Sequence, residues 1–292
     1  GEPVGAVNTY TFEDVAANHT IAASFAINTY TITATAGEHG SITPSGSVSV
    51  EYGADQTFAI NAATGYHVAA VLVDGEPVGA VNTYTFEDVA ANHTIAASFA
   101  EDAISHSISL VSGWNLVSFN VHPSSTEISA VLSSIAGNYD LVYAWDASGA
   151  HSSSGNWMKY APAGPAFQNS LATLDETTGF WIHMTGSDTL VVSGTEPVTS
   201  TIQLSTLAGG WNLVGFPTEA NGDLPAILGE HGAGTNFSLV YAYHTADVTD
   251  PWKLFDRNAA YWVNDLTALS PGWGYWIQVS ANSAWNINYT QP

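Results

Sequence analysis

Cysteine is absent from the 292-residue chain, which excludes disulfides, thiolate metal sites and cysteine nucleophiles together. Basic residues are nearly absent as well: Lys159, Lys253 and Arg257 stand against 26 carboxylates, for a formal charge of −23. A nucleic-acid binder neutralises phosphates with Lys and Arg, so nucleic acid is excluded as a partner, and so is electrostatic docking to anionic lipid. No apolar run reaches the roughly 18 residues that a bilayer crossing needs, so no membrane insertion is expected within this segment. No basic stretch followed by an apolar core opens the chain, which is the pattern expected of mature or excised material. What is present is apolar and aromatic: 46% hydrophobic and 12% aromatic residues suffice to bury cores, and the length predicts two or three domains.

The chain repeats itself. Gly1 to Ala26, GEPVGAVNTYTFEDVAANHTIAASFA, recurs without a change as Gly75 to Ala100. The complete unit is 27–100, and 1–26 reads as the last third of a preceding copy, which predicts further copies upstream in preference to strand exchange with a neighbouring molecule. Short alternating apolar and polar runs bounded by Gly, Pro, Asn or Asp read as strands and turns throughout. The partial copy would supply about two strands without the sheet they belong to.

Through GSITPSG, GYHVAAVLVDG, YTFEDV and NHTIAASF, residues 29–100 resemble the divergent internalin B-type repeat of bacterial and archaeal secreted surface proteins. The resemblance implies a compact, mainly β module used as a stalk or spacer at the cell surface, and it implies no catalytic residues.

A second, more diverged duplication follows. Ser107 to Gly194 and Thr201 to Tyr289 align through SGWNLVSF with GGWNLVGF, YDLVYAWD with FSLVYAYH, NWMKY with PWKLF, NSLATL with NDLTAL, and GFWIHM with GYWIQV. These halves resemble the GWNLVSF…GYWI modules found near the ends of large secreted proteins. Short strands with Gly, Pro, Asn and Ser clusters between them predict an all-β fold: a small repeat module, then two sandwich-like or barrel-like modules at 101–198 and 199–292. Short helices are expected from Thr126 to Ile135 and from Asp223 to Leu228, where a capping residue precedes apolar residues at helical spacing.

All ten tryptophans lie after residue 100. Trp114/Trp211 and Trp181/Trp276 recur in both halves; stacking on sugar rings is one use of such aromatics, and the cores, where large aromatics gain most from burial, are the first expectation. Trp262 and Trp273 have no counterpart in the first half and are the candidates for glycan or partner contact.

Other chemistry is sparse. His39 and His231 both sit in GEHG, which reads as a turn, and no paired-ligand spacing supports zinc. No cofactor is expected; calcium is the one ion that Asn221-Gly222-Asp223 and Asp247 to Asp250 suit, and neither matches an EF-hand loop. No GxSxG motif is present, so no enzyme is expected. Lys159 and Lys253, read as equivalent positions after Trp157 and Trp252, are the only lysines available for a Lys–Asn crosslink of the kind known in surface adhesins. Asn18, Asn92, Asn236 and Asn288 head N-glycosylation triplets. The expected function is that of an extracellular or cell-surface structural protein: a stalk, adhesin or filament or surface-layer subunit that works through self-association or neighbouring surface proteins. A carbohydrate-binding pair of modules on a stalk is the alternative.

Overall fold

The computed structural model describes residues 1–151, 155–230, 234 and 236–290. It is an all-β protein, with two short α-helices among the described residues, and it divides into compact units at Gly1–Asp102 and Ala103–Pro292. No helix among them is long and apolar enough to cross a membrane.

In the first unit, one sheet orders its strands as Gly46–Glu51, Thr29–Ala36, His93–Glu101, Tyr66–Val73 and Glu76–Gly79. Thr29–Ala36 and His93–Glu101 pair in parallel and the other neighbours antiparallel. A second sheet sets Gln56–Ala62 between Gly40–Thr43 and Thr83–Phe86. Alternation turns every second side chain inward, so Ile32, Val71 and Ile95 from one sheet meet Ile42, Phe58 and Ile60 from the other in one core. The GEHG turn has a local cause. His39 takes a left-handed φ of 65° and stacks on Tyr66 at 4.1 Å, while Gly40 lies under the Phe99 ring, where a β-carbon would sit 2.2 Å from that ring. His231, the other such histidine, lies outside the described residues.

Residues 1–28 form no strand. The two strands expected of the partial copy do not form, and no strand of either sheet in the unit pairs with it. Ile21 is 65% exposed and Val15 62%, whereas the identical positions Ile95 and Val89 are 0% and 1%.

In the second unit the duplication is visible as topology. Each half holds a four-stranded antiparallel sheet in the same order: Gly113–Val117, Phe180–Met184, Tyr139–Trp145, Trp157–Tyr160 in the first, and Trp211–Val214, Tyr275–Val279, Phe237–Tyr243, Trp252–Asp256 in the second. Matching bulges fall at Tyr139/Leu141 and Phe237/Leu239. Smaller sheets close each core: Ile104–Leu110, Asp188–Thr195 and His122–Pro123 in the first half, and Thr199–Leu204 with Ser283–Asn288 in the second. The helices reduce to Ile128–Val131, continued by a 3-10 turn at Ser133–Ile135, and to Ala226–Glu230. Each half has its own hydrophobic core.

The halves join along a seam with approximate two-fold symmetry. Val117 bridges to Trp273, and at the equivalent positions Val214 bridges to Thr178. These close approaches explain the glycines of the GFWI and GYWI landmarks. A β-carbon on Gly179 would lie 2.4 Å from the Val214 carbonyl oxygen, and one on Gly274 would lie 2.9 Å from that of Val117. The Ser118 hydroxyl donates to the Trp273 carbonyl at 2.7 Å, and the Asn120 amide to that of Thr218 at 2.7 Å.

Candidate functional site

The GWN landmark shows how the sequence turns its tryptophans outward. Gly113 and Gly210 take left-handed φ values of 92° and 78°. The next-but-one residue, Asn115 or Asn212, is buried and clamps the preceding loop: its side chain accepts from the N–H and donates to the carbonyl of Val111 in one half and of Ser205 in the other. With asparagine facing in, period-2 alternation sends Trp114 and Trp211 to the opposite face. Likewise Phe180, Ile182 and Met184 point into the core while Trp181 and His183 point away.

The core placement expected for Trp114, Trp211, Trp181 and Trp276 is therefore corrected. None is buried: Trp114 is 38% exposed, and the other three are half-buried. Only Trp285 among the tryptophans is a core residue, at 0% exposure. The out-of-phase alternation in FWIHM and YWIQV was the available signal. Aromatic identity outweighed it.

The outward faces of the two four-stranded sheets meet in one aromatic cluster with the symmetry of the seam. Trp276 packs against Trp145 at 5.4 Å and Trp157 at 5.6 Å; at equivalent positions Trp181 packs against Tyr243 at 5.1 Å and Trp252 at 5.8 Å. The Trp145 indole N–H fixes the arrangement by donating to the Trp211 carbonyl at 2.9 Å. Two pockets open in this trough. The larger, about 540 Å³, is walled by Trp211, Tyr241, Trp252 and Trp276, with Trp145, Trp157 and Ala208 completing it. The smaller, about 490 Å³, is walled by the counterparts Trp114, Tyr143 and Trp181, with Trp157 shared between the two. Both are lined by aromatic surface.

Trp262 and Trp273 part company. Trp262 lies in the exposed turn Tyr261–Val263 and is 74% exposed, with Tyr261 at 83%. It has an aromatic counterpart after all. Asn169 and Asn264 make equivalent hydrogen bonds, to Ala161 and Asp256, and two residues before each stand Phe167, 85% exposed, and Trp262. Trp273 stands where the first half has Thr178. It is half-buried, packed on the second core and on His244 at 4.3 Å, so it serves the seam.

The lysines are not equivalent. Strand pairing sets Lys159 opposite Tyr143 but Lys253 opposite Ala242, so Lys159 matches Leu254 and points to the aromatic face. Lys253 ion-pairs with Asp247 at 2.9 Å, Asp250 at 3.6 Å and Asp265 at 3.7 Å. Asp247, read as a calcium ligand, caps its own turn through Thr249 and Asp250 and is held well below the usual carboxylate range, first by the Lys253 hydrogen bond. Asp223 lies on the short strand Gly222–Asp223, paired with Ala268. Among the described residues no three His, Asp or Glu side chains converge to hold a metal.

Of the glycosylation candidates, Asn18 lies in the strandless exposed segment. Asn92 is exposed and accepts from the Thr31 N–H at 2.8 Å, Asn236 is half-buried, and Asn288 is exposed at a strand end beside Thr199. Comparison of the chain with protein-family models, curated proteins and solved structures finds no match.

Proposed function

We propose that the chain is an extracellular structural and adhesive protein, in which an acidic β-repeat stalk carries a duplicated β module and the aromatic trough of that module is the contact surface. One observation carries this reading: at pseudo-equivalent positions both halves hold tryptophans on the face opposite their cores, although each core would gain from burying them. The resemblance of residues 29–100 to surface-protein repeats supports the setting, as does the absence of Lys and Arg from Gly1 to Ala100, which leaves no trypsin-type cleavage site there. Adhesion of the full chain to cell-envelope material tests it. Trp211→Ala with Trp276→Ala is expected to reduce adhesion at least tenfold with the far-ultraviolet spectrum unchanged; undiminished adhesion refutes the trough as the contact surface. Electron microscopy of concentrated protein tests the filament or surface-layer form, which a monodisperse monomer would refute.

A second reading, a carbohydrate-binding pair, is favoured by Phe167 and Trp262. Two exposed rings at equivalent turns are what sugar-stacking platforms require. Saturable binding on a glycan array, lost in Trp262→Ala, is the expected result.

A further inference from the structure

The trough differs from a sugar platform in how its rings are set. A sugar stacks on an open, flat ring and is held by polar neighbours, whereas the walls of the larger pocket stand nearly at right angles. Trp276 meets Trp145 at 70°, Trp157 at 79° and Trp211 at 84°, and Tyr241 meets Trp252 at 87°. Perpendicular rings offer several π-faces to one centre, the geometry in which a methylated cation is attracted by every wall at once.

The residues that line this pocket are uncharged, and the unit that holds it is acidic. The second unit carries 14 carboxylates against three basic residues. Asp146 directly follows Trp145, and hydrogen bonds from Ser148 and His151 keep it ionised. Lys253, next to Trp252 in the chain but on the other face of the strand, is outnumbered there by Asp247, Asp250 and Asp265. Alternation along Trp252–Asp256 puts Asp256 on the aromatic face with Trp252.

The smaller pocket is an internal contrast. On the strands that wall it, the position of Leu254 is Lys159, opposite Tyr143 and on the same face as Trp157, and the position of Gln278 is His183, 4.9 Å from Trp114. The face that walls the smaller pocket thus carries a lysine where the face of the larger one carries a leucine.

We propose that the larger pocket, walled by Trp211, Tyr241, Trp252 and Trp276, binds a quaternary ammonium group of the choline type, and that the smaller pocket is barred from doing so by Lys159. The proposal rests on reading the trough as a binding surface and names its ligand.

The test is calorimetry on the full chain with choline chloride and with its uncharged isostere 3,3-dimethylbutan-1-ol, followed in parallel by the indole N–H resonances. Choline is expected to bind at least about tenfold more tightly than the isostere. Trp211→Ala and Leu254→Lys are expected to abolish binding, Trp114→Ala to leave it unchanged, and Lys159→Leu to add a second site. Leu254→Lys changes a half-exposed side chain and keeps the fold measurable by circular dichroism. Co-sedimentation with phosphatidylcholine but not phosphatidylglycerol vesicles would place the group on a lipid; choline binding without it makes the ligand a soluble solute, and either result supports the assignment. Equal affinity for the isostere, retention of choline by Leu254→Lys, or binding of neutral oligosaccharides alone overturns the ammonium assignment and leaves the trough a binding surface. No change in any indole resonance with any of these probes, envelope glycans included, removes both readings.

Discussion

The Trp145 side chain of the first half donates its indole N–H to the backbone carbonyl of Trp211 in the second half, at 2.9 Å. This one bond ties the aromatic face of one sheet to the strand that opens the other, and it fixes the edge-on contact of Trp145 with Trp276.

Trp145→Phe keeps an aromatic wall but leaves the Trp211 carbonyl without its donor. A loss of about 1 kcal/mol is expected from the missing bond, read as a lower urea midpoint at unchanged slope. The larger pocket loses its fixed wall in the same variant. An unchanged midpoint would mean that the seam does not depend on this contact.

The seam glycines make a sharper test. Gly179→Ala forces a β-carbon onto the Val214 carbonyl oxygen, and Gly274→Ala forces one onto Leu116 and the Val117 carbonyl. Each is expected to cost about 1–3 kcal/mol, as overpacked sites do. Gly186→Ala meets nothing within 4 Å and is the neutral control. Equal melting temperatures for all three would refute the close approach of the halves.

Much of this was legible in the sequence, and the failures are physical. Strands and the order of the duplicated elements followed from alternation and from the landmarks. The role of each landmark did not, because a glycine that admits a neighbouring strand looks the same as one that makes a turn. Residue type points Trp181 to a core, but its phase against Phe180, Ile182 and Met184 turns it outward. Phe167 does not stand out in the sequence as the counterpart of Trp262, because the match is aromatic character and not identity. Lys159 and Lys253 differ by one residue in register, and in a strand that reverses the face.

Acid should weaken the second unit. His106 accepts from the Asn120 N–H and lies against Gly272, and burial lowers its pKa below 6.5; His244, against Trp273, is lowered first by burial and then by the Lys253 charge, with Asp247 and Asp265 opposing. A folded value below the unfolded one means that the unfolded chain takes up protons first. The stability from these neutral rings is complete above 6.5 and is lost as the pH falls through the lower folded values. Asp146 does not add to this loss. Burial acts to raise its pKa, but hydrogen bonds from Ser148 and His151 outweigh burial and hold it at about 2. Melting followed by tryptophan fluorescence should therefore shift downward between pH 7 and about pH 5, and His106→Gln should flatten part of that dependence. A melting temperature that rises on acidification would refute the account.

Lys253 is the single cation among Asp247, Asp250 and Asp265. Lys253→Met leaves three carboxylates facing one another, so the variant should melt lower, and by more at low salt than at high salt because the repulsion is screened. Lys159→Met, which removes a charge with no ion pair among the described residues, should be close to neutral for stability. Equal effects of the two substitutions would remove the distinction between them.

The last prediction uses the chain's own repeat as its control. Ile21 and Ile95 stand at the same position of an identical 26-residue sequence, yet Ile95 is fully buried and Ile21 is 65% exposed. The difference lies in what each copy can pair with. His93–Glu101 fits between Thr29–Ala36 and Tyr66–Val73 and closes the core with Phe58 and Val71, whereas no strand among the described residues pairs with the earlier copy. Ile95→Ala should thus cost about 2–5 kcal/mol as a core cavity, and Ile21→Ala should stay within about 0.5 kcal/mol as a surface change. Hydrogen exchange on the same samples should protect the amides of 93–101 and leave those of 19–26 exchanging at the rate of an open chain. If the two substitutions cost the same, residues 1–26 are paired in solution, and the identical sequence is folding twice.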